Sequence, residues 1–319
     1  MRRHLFEQIF GQLGLLSREQ LEELGCAALA MARSGRAAVV IEAARAPCLA
    51  CPRCAGTALY RDGQANGLQR FRCRACGRTF NSLTGTPLAR LRHKDKWLDY
   101  CDTLLDPATT VRRAADRLGV HRTTTFRWRH RMLTWPKHDS QAPLQGIVEA
   151  DEMVVLESHK GARHLDRPAR KRGGRAGKPG ISHEQVCVLV ARDRNGRTHD
   201  AVTGTGPVTA AQLEQHLKPA LGDDSVLVTD SHAAYRRFAR EHGITHEPIN
   251  LRSGERVRNA FHIQNVNGYH SRLRAWLHHF RGVATRYLDN YCGWRRAIDA
   301  HRINSPEAFL RAAVGVFRS

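Results

Sequence analysis

At 319 residues, 41% of them hydrophobic, the chain is long enough for two or three domains with sizeable cores. Its 51 Lys and Arg against 30 Asp and Glu give a formal net charge of +21, more than solubility asks, which points to a polyanionic partner, nucleic acid foremost. No apolar run approaches the ~20 residues of a bilayer span, and nine cysteines, an odd count with four in two C-x-x-C pairs, favour a metal site in a reducing compartment over a disulfide framework.

The opening stretch MRRHLFEQIFGQLGLL lacks a long apolar core and a small-residue cleavage site, so a cytosolic protein is expected. Residues 1–45 read as a helical segment, with Ser17 as N-cap, Gln20 as its capping-box partner and leucines at helical spacing. Residues 46–90 are rich in Pro, Cys and Gly and show little periodicity, so something other than a core must hold them. CPRC at Cys51 and Cys54 and CRAC at Cys73 and Cys76 are separated by 18 residues, the pattern of a zinc ribbon. Each knuckle turns two thiolates toward one tetrahedral Zn²⁺, whose binding energy replaces the missing core. Cys48 is a competing cysteine at the same spacing, and Gly77 and Phe80 suit the turn and strand after the second knuckle.

From 91 to 136 the pattern turns helical, with breaks near Asp106 and at Gly119. TTVRRAADRLGVHRTTTFRWRHRML reads as a helix-turn-helix: Ala114, Ala115 and Leu118 pack on one face, and Val120, Thr125, Trp128 and Met132 turn inward. That leaves Arg122, Thr123, Thr124, Arg127 and Arg131 outward, suited to base edges and phosphates of double-stranded DNA. The plain alternative is a helical hairpin with a solvated basic face.

Past the polar linker KHDSQAP, residues 144–319 change texture. Strands are expected at 147–156, 185–192, 197–203, 225–229 and 245–250, with helices at 209–219 and 231–242 and helical segments to the end. This order gives an α+β multidomain chain ending in a mixed sheet flanked by helices. A basic insertion, 157–184, interrupts the first two strands; its residues 159–178 hold eight Lys/Arg and one Asp, too polar and Gly-rich to fold alone. Lys160, Arg170, Lys171 and Arg172 are expected to grip phosphates.

The first strand, IVEADEMVVL, sets Glu149, Asp151 and Glu152 in an otherwise apolar run. If the first and fourth strands are neighbours, Asp151 meets Asp230 of VLVTDSHAAY, and a hard cation such as Mg²⁺ relieves the repulsion between them. Helix capping by Asp230 with Ser231 is the bland alternative. Alternation sends Glu149 to the face of Asp151 and Glu152 to the other, each read as solvated or ion-paired.

A zinc ribbon, a helix-turn-helix, VEADE, VTDSHAAY and then FHIQNVNGYHSRLRAWLHHFRGVATRYLDNYCGWRR, in that order from about Cys51 to Phe309, resemble the zinc-ribbon DDE-type transposases of bacterial insertion sequences. More narrowly, the chain resembles the insertion-sequence family fifteen-ninety-five. The resemblance implies an RNase H-like catalytic domain in which Asp151 and Asp230 are the first two metal carboxylates and Asn267 the third ligand. Arg274 is its helical basic residue and His262 its preceding histidine. Asn267 stands where the wider class carries Glu, and Arg274 where Lys is usual. Also implied are two Mg²⁺ ions, cleavage at terminal inverted repeats, strand transfer into target DNA, and a homo-oligomer on DNA, although no heptad run signals assembly. The competing expectation is a transposase-derived, non-catalytic sequence-specific DNA-binding protein, which Asn267 favours.

Overall fold

The computed structural model describes residues 3–106, 109–135, 142–165, 167–170 and 173–315. Two compact units divide the chain: Met1–Leu105, Val111–Thr125 and Ser305–Val316 form the first, and Asp106–Thr110, Phe126–Asn304 and Phe317–Ser319 the second. Among the described residues no helix is long and apolar enough to cross a membrane.

In the first unit, α1 (Arg3–Gln12) precedes a 28-residue helix, α2 (Arg18–Arg45). The expected capping box is formed: the Ser17 hydroxyl accepts from the Gln20 amide, and the Gln20 side chain accepts from the Ser17 amide at 2.9 Å. Among its described side chains, α2 is buried only near its end, at Ala37, Ala38, Ile41 and Ala44. A three-stranded antiparallel sheet follows, β1 (Leu59–Ala65), β2 (Leu68–Cys73) and β3 (Thr79–Asn81). Its first hairpin turns on Asn66 and Gly67, both at positive φ, as a two-residue turn between twisted strands requires.

Next come α3 (Trp97–Leu105), α4 (Val111–Leu118) and α5 (Arg122–Met132). Gly119, at φ +58°, makes the turn between α4 and α5. Ala114, Ala115, Leu118 and Thr125 are buried as expected; the Tyr100 hydroxyl donates to the Thr125 carbonyl at 2.7 Å, and the Thr125 hydroxyl donates to that of Val111 at 3.0 Å. The last helix, α10 (Pro306–Ala313), also lies in the first unit, where an Arg36 to Glu307 ion pair of 2.9 Å joins its first turn to α2. A division of the chain by sequence texture alone assigns these residues to 144–319.

The second unit is built on a five-stranded sheet of β4 (Ile147–Leu156), β5 (Gln185–Asp193), β6 (Thr198–Thr205), β7 (Val226–Thr229) and β8 (Thr245–Pro248). Their order is β6-β5-β4-β7-β8, antiparallel among the first three and parallel across β4, β7 and β8. This is the RNase H-like arrangement, and it makes the first and fourth strands of the domain neighbours.

Alternation along β4 divides the two faces. Val148 and Ala150 join Cys187, Leu189 and Ala191 in a buried layer with Leu213 of α6 (Ala210–His216) and Tyr235 and Phe238 of α7 (Ala233–His242). On the opposite face lies α8 (Gln264–His279), followed by α9 (Leu288–Asp299). Helix α6 is shorter than expected because Pro219, which has no N–H to donate, tightens the chain into a 3-10 turn at Lys218–Ala220. Helix α7 starts two residues late because His232, not Asp230 or Ser231, is its N-cap.

Candidate active site

Asp151 and Asp230 are brought together by strand register. Glu149 of β4 pairs in parallel with Val228 of β7, so Asp151 and Asp230 each follow two residues beyond the last paired position, near enough for the Asp230 charge to act on Asp151. Asp230 sits just past the end of β7, where its carboxylate accepts from the His232 amide at 3.1 Å and Ser231 turns the chain at φ +71°. A non-glycine residue in that region is a local strain, of the kind that concentrates at functional sites.

The Asp151 carboxyl is pushed up to about 6, first by burial and further by the Asp230 charge, against the opposing effects of the Glu152 amide and Arg274. Glu152, on the α7 face, is pushed up to about 8 by burial and then by the charges of Asp151 and Asp230; its Oε1 is buried without a hydrogen-bond partner. Carboxyl groups so crowded resist losing their protons together, and a divalent cation relieves that repulsion.

Helix α8 brings the other predicted groups. Asn267, His270 and Arg274 fall at i, i+3 and i+7, on one side of the helix. His270 is buried, with Nδ1 3.7 Å from Asp151 Oδ2 and Nε2 unpartnered; burial and the Arg274 charge push its imidazole down to about 4, so it is neutral at pH 7. Asn267 and Arg274 are exposed.

Glu149 is what aims this helix. The N-cap position of α8 is Ile263, which has no capping side chain. Glu149, fully buried in β4, takes over that role from the sheet: its carboxylate accepts from the amides of Asn265 at 2.7 Å and Val266 at 3.0 Å and from Asn265 Nδ2 at 2.9 Å. A carboxylate at a helix N-terminus satisfies orphan amides and meets the positive end of the dipole. Arg194, 2.8 Å away, and His262, 3.3 Å away, complete its surroundings. Of the two alternatives read for Glu149 and Glu152, ion pairing holds for Glu149; Glu152 meets neither, since it is largely buried and forms no ion pair among the described residues, with Oε1 unpartnered. Arg194, Asn265 and His270 carry no local motif; only the placement of an acid two residues before Asp151 on the same face hints at them.

In the first unit the four cysteine sulfurs of Cys51, Cys54, Cys73 and Cys76 lie within 4.8 Å of one another, with 3.6 Å between Cys51 and Cys76 and 3.5 Å between Cys54 and Cys73. Four thiolates at Zn–S ≈ 2.3 Å form a tetrahedron of about 3.8 Å edge, so the cluster fits Zn²⁺. The amides of Arg53 and Cys54 draw the Cys51 thiol down to about 6. Cys54 is helped by the Gly56 amide, yet its contacts with Cys73, Cys76 and Cys51 drive it up to about 12. Cys48 lies outside the cluster, exposed, its thiol against the Arg45 carbonyl.

Of the expected DNA contacts, Arg122, Thr123, Arg127 and Arg131 are exposed along α5 and Thr124 is half-buried. Trp128 and Met132 are buried on its other side, and Arg129 stacks over Phe280 and Trp294 in the second unit. Two insertion residues are engaged with backbone: Lys160 donates to the Gly282 carbonyl at 2.7 Å, and Arg170 to those of Glu157 and Glu184 at 3.1 and 3.2 Å. Both line a cavity of about 890 Å³ between the end of β4, the insertion and the end of α8. Lys171 and Arg172 lie outside the described residues.

Residues 143–294 match the family model described as the ISXO2-like transposase domain, and residues 48–77 the InsA N-terminal domain, a zinc ribbon. An uncharacterized protein in the transposable element ISH50 of Halobacterium salinarum is 30% identical over 248 residues, 76% of this chain and 82% of its own length. The pre-cleavage Mos1 transpososome shares 17% identity over 69% of this chain and 79% of that one, at a TM-score of 0.25, too slight a likeness to bear on the fold.

Proposed function

Because the chain belongs to the ISXO2-like transposase family, with a zinc ribbon ahead of the transposase domain, we propose that it recognises the ends of an insertion element and cuts and joins DNA there. The observation that supports this reading is the parallel pairing of β4 with β7, together with the effect of the Asp230 charge on the Asp151 carboxyl. Two crowded carboxylates and the amide oxygen of Asn267, all hard donors, suit magnesium. When bound, magnesium supplies Lewis-acid activation of the attacking oxygen and stabilises the departing one.

The chain's own groups do the rest. Asp151 and Asp230 hold the cation side of the site, and Asn267 donates a carbonyl from α8. His270, neutral, is buried beside Asp151, whose carboxylate accepts from the Glu152 amide at 2.9 Å. Arg274, two turns beyond Asn267, reaches for a phosphate oxygen. Glu149 is a positioning residue, holding the end of α8 from which these side chains project. Arg122, Thr123, Thr124, Arg127 and Arg131 on α5 are the proposed contacts to the inverted repeat, and the basic insertion adds phosphate contacts whose strength falls with salt.

The test is Mg²⁺-dependent nicking of DNA carrying the element's terminal inverted repeats. Asp151→Ala and Asp230→Ala should each lose about three orders of magnitude in nicking rate while shifting the same DNA in a gel. Nicking retained by either variant would remove the proposed centre. Asn267 in place of an acid favours the second reading, a DNA-binding protein without catalysis, for which the wild-type chain would shift end DNA and leave it uncut.

A further inference from the structure

Of the two proposed metal carboxylates, Asp230 alone lies outside a strand, and the residue after it, Ser231, stands in the left-handed region at φ +71°. A serine persists there only where its surroundings over-determine it. On the strand side they do: Thr229 is fully buried, its hydroxyl pairs with His246 Nε2 at 2.9 Å, and its carbonyl accepts from the Ile249 amide at 2.8 Å. On the helix side the holding group is Arg236 of α7. Its Nη2 and Nε both donate to the Ser231 carbonyl, at 2.8 and 3.2 Å, a fork closed on one oxygen five residues back in the chain.

Two observations separate this contact from a chance surface hydrogen bond. Arg236 is in the first turn of α7, which carries no acidic residue, and a cation there opposes the helix dipole, so helix stability does not account for its place. Ser231 and Arg236 also line a depression of about 620 Å³ at the ends of β7 and β8, so the turn is held by hydrogen bonds more than by packing. The other arginine of that depression, Arg258, is paired with Glu255 at 2.9 Å and Glu247 at 3.5 Å, whereas Arg236 is directed at a backbone carbonyl. What that carbonyl governs is the next amide. His232 N–H, one residue past Ser231, is the donor that the Asp230 carboxylate accepts at 3.1 Å.

We propose that Arg236 is a positioning residue for the magnesium site: by closing its fork on the Ser231 carbonyl it fixes the turn whose His232 amide orients the Asp230 carboxylate, and so sets the affinity for a divalent cation. This rests on the reading of Asp151 and Asp230 as the metal pair. A planar guanidinium gives two donors to one acceptor, which a lysine does not. The sign of the effect separates the clamp from simple charge. A cation near a cation site repels the metal, so by charge alone the loss of Arg236 tightens binding. Loss of the clamp weakens it.

The test is Mn²⁺ binding, followed by electron paramagnetic resonance on the full-length, zinc-loaded protein without DNA. Wild type should bind Mn²⁺, and Asp151→Ala should not. Arg236→Ala should bind about tenfold more weakly, the usual cost of removing an outer-shell partner of a metal ligand, with unchanged zinc content. Glycine takes φ +71° without strain, so in a Ser231→Gly background the same substitution should cost about twofold or less. Arg236→Lys, which keeps the charge and loses the fork, should fall between, and it carries the test if the alanine variant does not fold. Affinity that is unchanged or tighter in these variants, or an equal loss in the Ser231→Gly background, overturns the proposal and leaves the metal pair standing. A wild type that takes up no Mn²⁺ removes the metal pair and the clamp with it.

Discussion

Behind the five-stranded sheet lies a full apolar layer, in which Val148, Leu189, Leu213, Tyr235 and Phe238 are all completely buried. Behind the three-stranded sheet the buried cluster is Cys51, Cys73 and Phe80, two of its three members being cysteines. The larger sheet therefore holds its shape by excluded water, at roughly 25 cal/mol per Å² of apolar surface. The smaller one is held by its ligand. The same contrast decides where each unit tolerates charge: the large sheet encloses Glu149 completely because α8 brings donors to it, and the ribbon has no interior in which to do so.

The largest expected effect follows from that difference. Chelating zinc, or Cys73→Ser, should unfold β1 to β3 and leave β4 to β8 intact, since a structural Zn²⁺ contributes on the order of 10 kcal/mol to a fold of this kind. Hydrogen exchange read separately over 49–81 and 147–205 checks it. Equal loss of protection in both segments would mean that the two sheets are not independently held.

Next is the buried charge in the larger sheet. Glu149→Ala strips two amides and a side-chain amide at the start of α8 of their acceptor and leaves Arg194 without its partner. The cost should be about 3 kcal/mol, less than for a fully enclosed pair because Arg194 is partly exposed. Urea denaturation of the metal-replete protein measures it. The loss should be accompanied by weaker Mg²⁺-dependent nicking, since Asn267 and His270 ride on the helix that Glu149 anchors.

Much of this second unit was legible in sequence because its signals are local. The apolar runs of β4, β5 and β7 mark themselves, the observed bounds of β4 match the expected ones and those of β5 and β7 differ by one residue, and Asp151 and Asp230 stand out as acids at such runs. The RNase H-like order and the zinc ribbon agree with what those runs and cysteine spacings predict. What stayed hidden depends on pairs far apart in the chain. Glu149 meets Asn265 across 116 positions, and nothing near either residue says so. Lys160 and Arg170 read as phosphate contacts because charge is visible in sequence, whereas the carbonyls they bind are common to every residue. Ser305–Val316 lies in the first unit because of what α10 packs against, while its composition matches the helices that precede it.

A subtler consequence concerns pH. Glu152 is raised from the ordinary glutamate range to about 8, burial being the main cause. Below the ordinary value, both folded and unfolded chains hold the proton and the stability of the larger sheet is complete. As pH climbs from about 4.5 to 8 the unfolded chain releases it first, so folding loses stability across that window and levels off above it. In magnesium-free buffer the wild type should weaken by about 2 kcal/mol over this range, a figure reduced from the full shift because water reaches a strained site. Glu152→Gln should flatten the curve; a wild-type stability that rises with pH from 5 to 8 would contradict the assignment. The ribbon should move the opposite way, since its thiols bind zinc more readily once deprotonated.

The smallest effect isolates the part of the first unit that neither sheet supports. Ser17→Ala removes the acceptor for the Gln20 amide and half of the capping box at the start of α2. Such a cap is worth about 1 kcal/mol, and here the turns that follow it have no buried side chain to hold them. Fraying should therefore be confined to the first turns of α2, seen as faster exchange over 18–28, while 37–45, where Ala37, Ala38, Ile41 and Ala44 are buried, stays protected. Zinc content should not change. If exchange rises equally along the whole of α2, its buried end does not hold independently, and the helix answers to its cap more than to its packing.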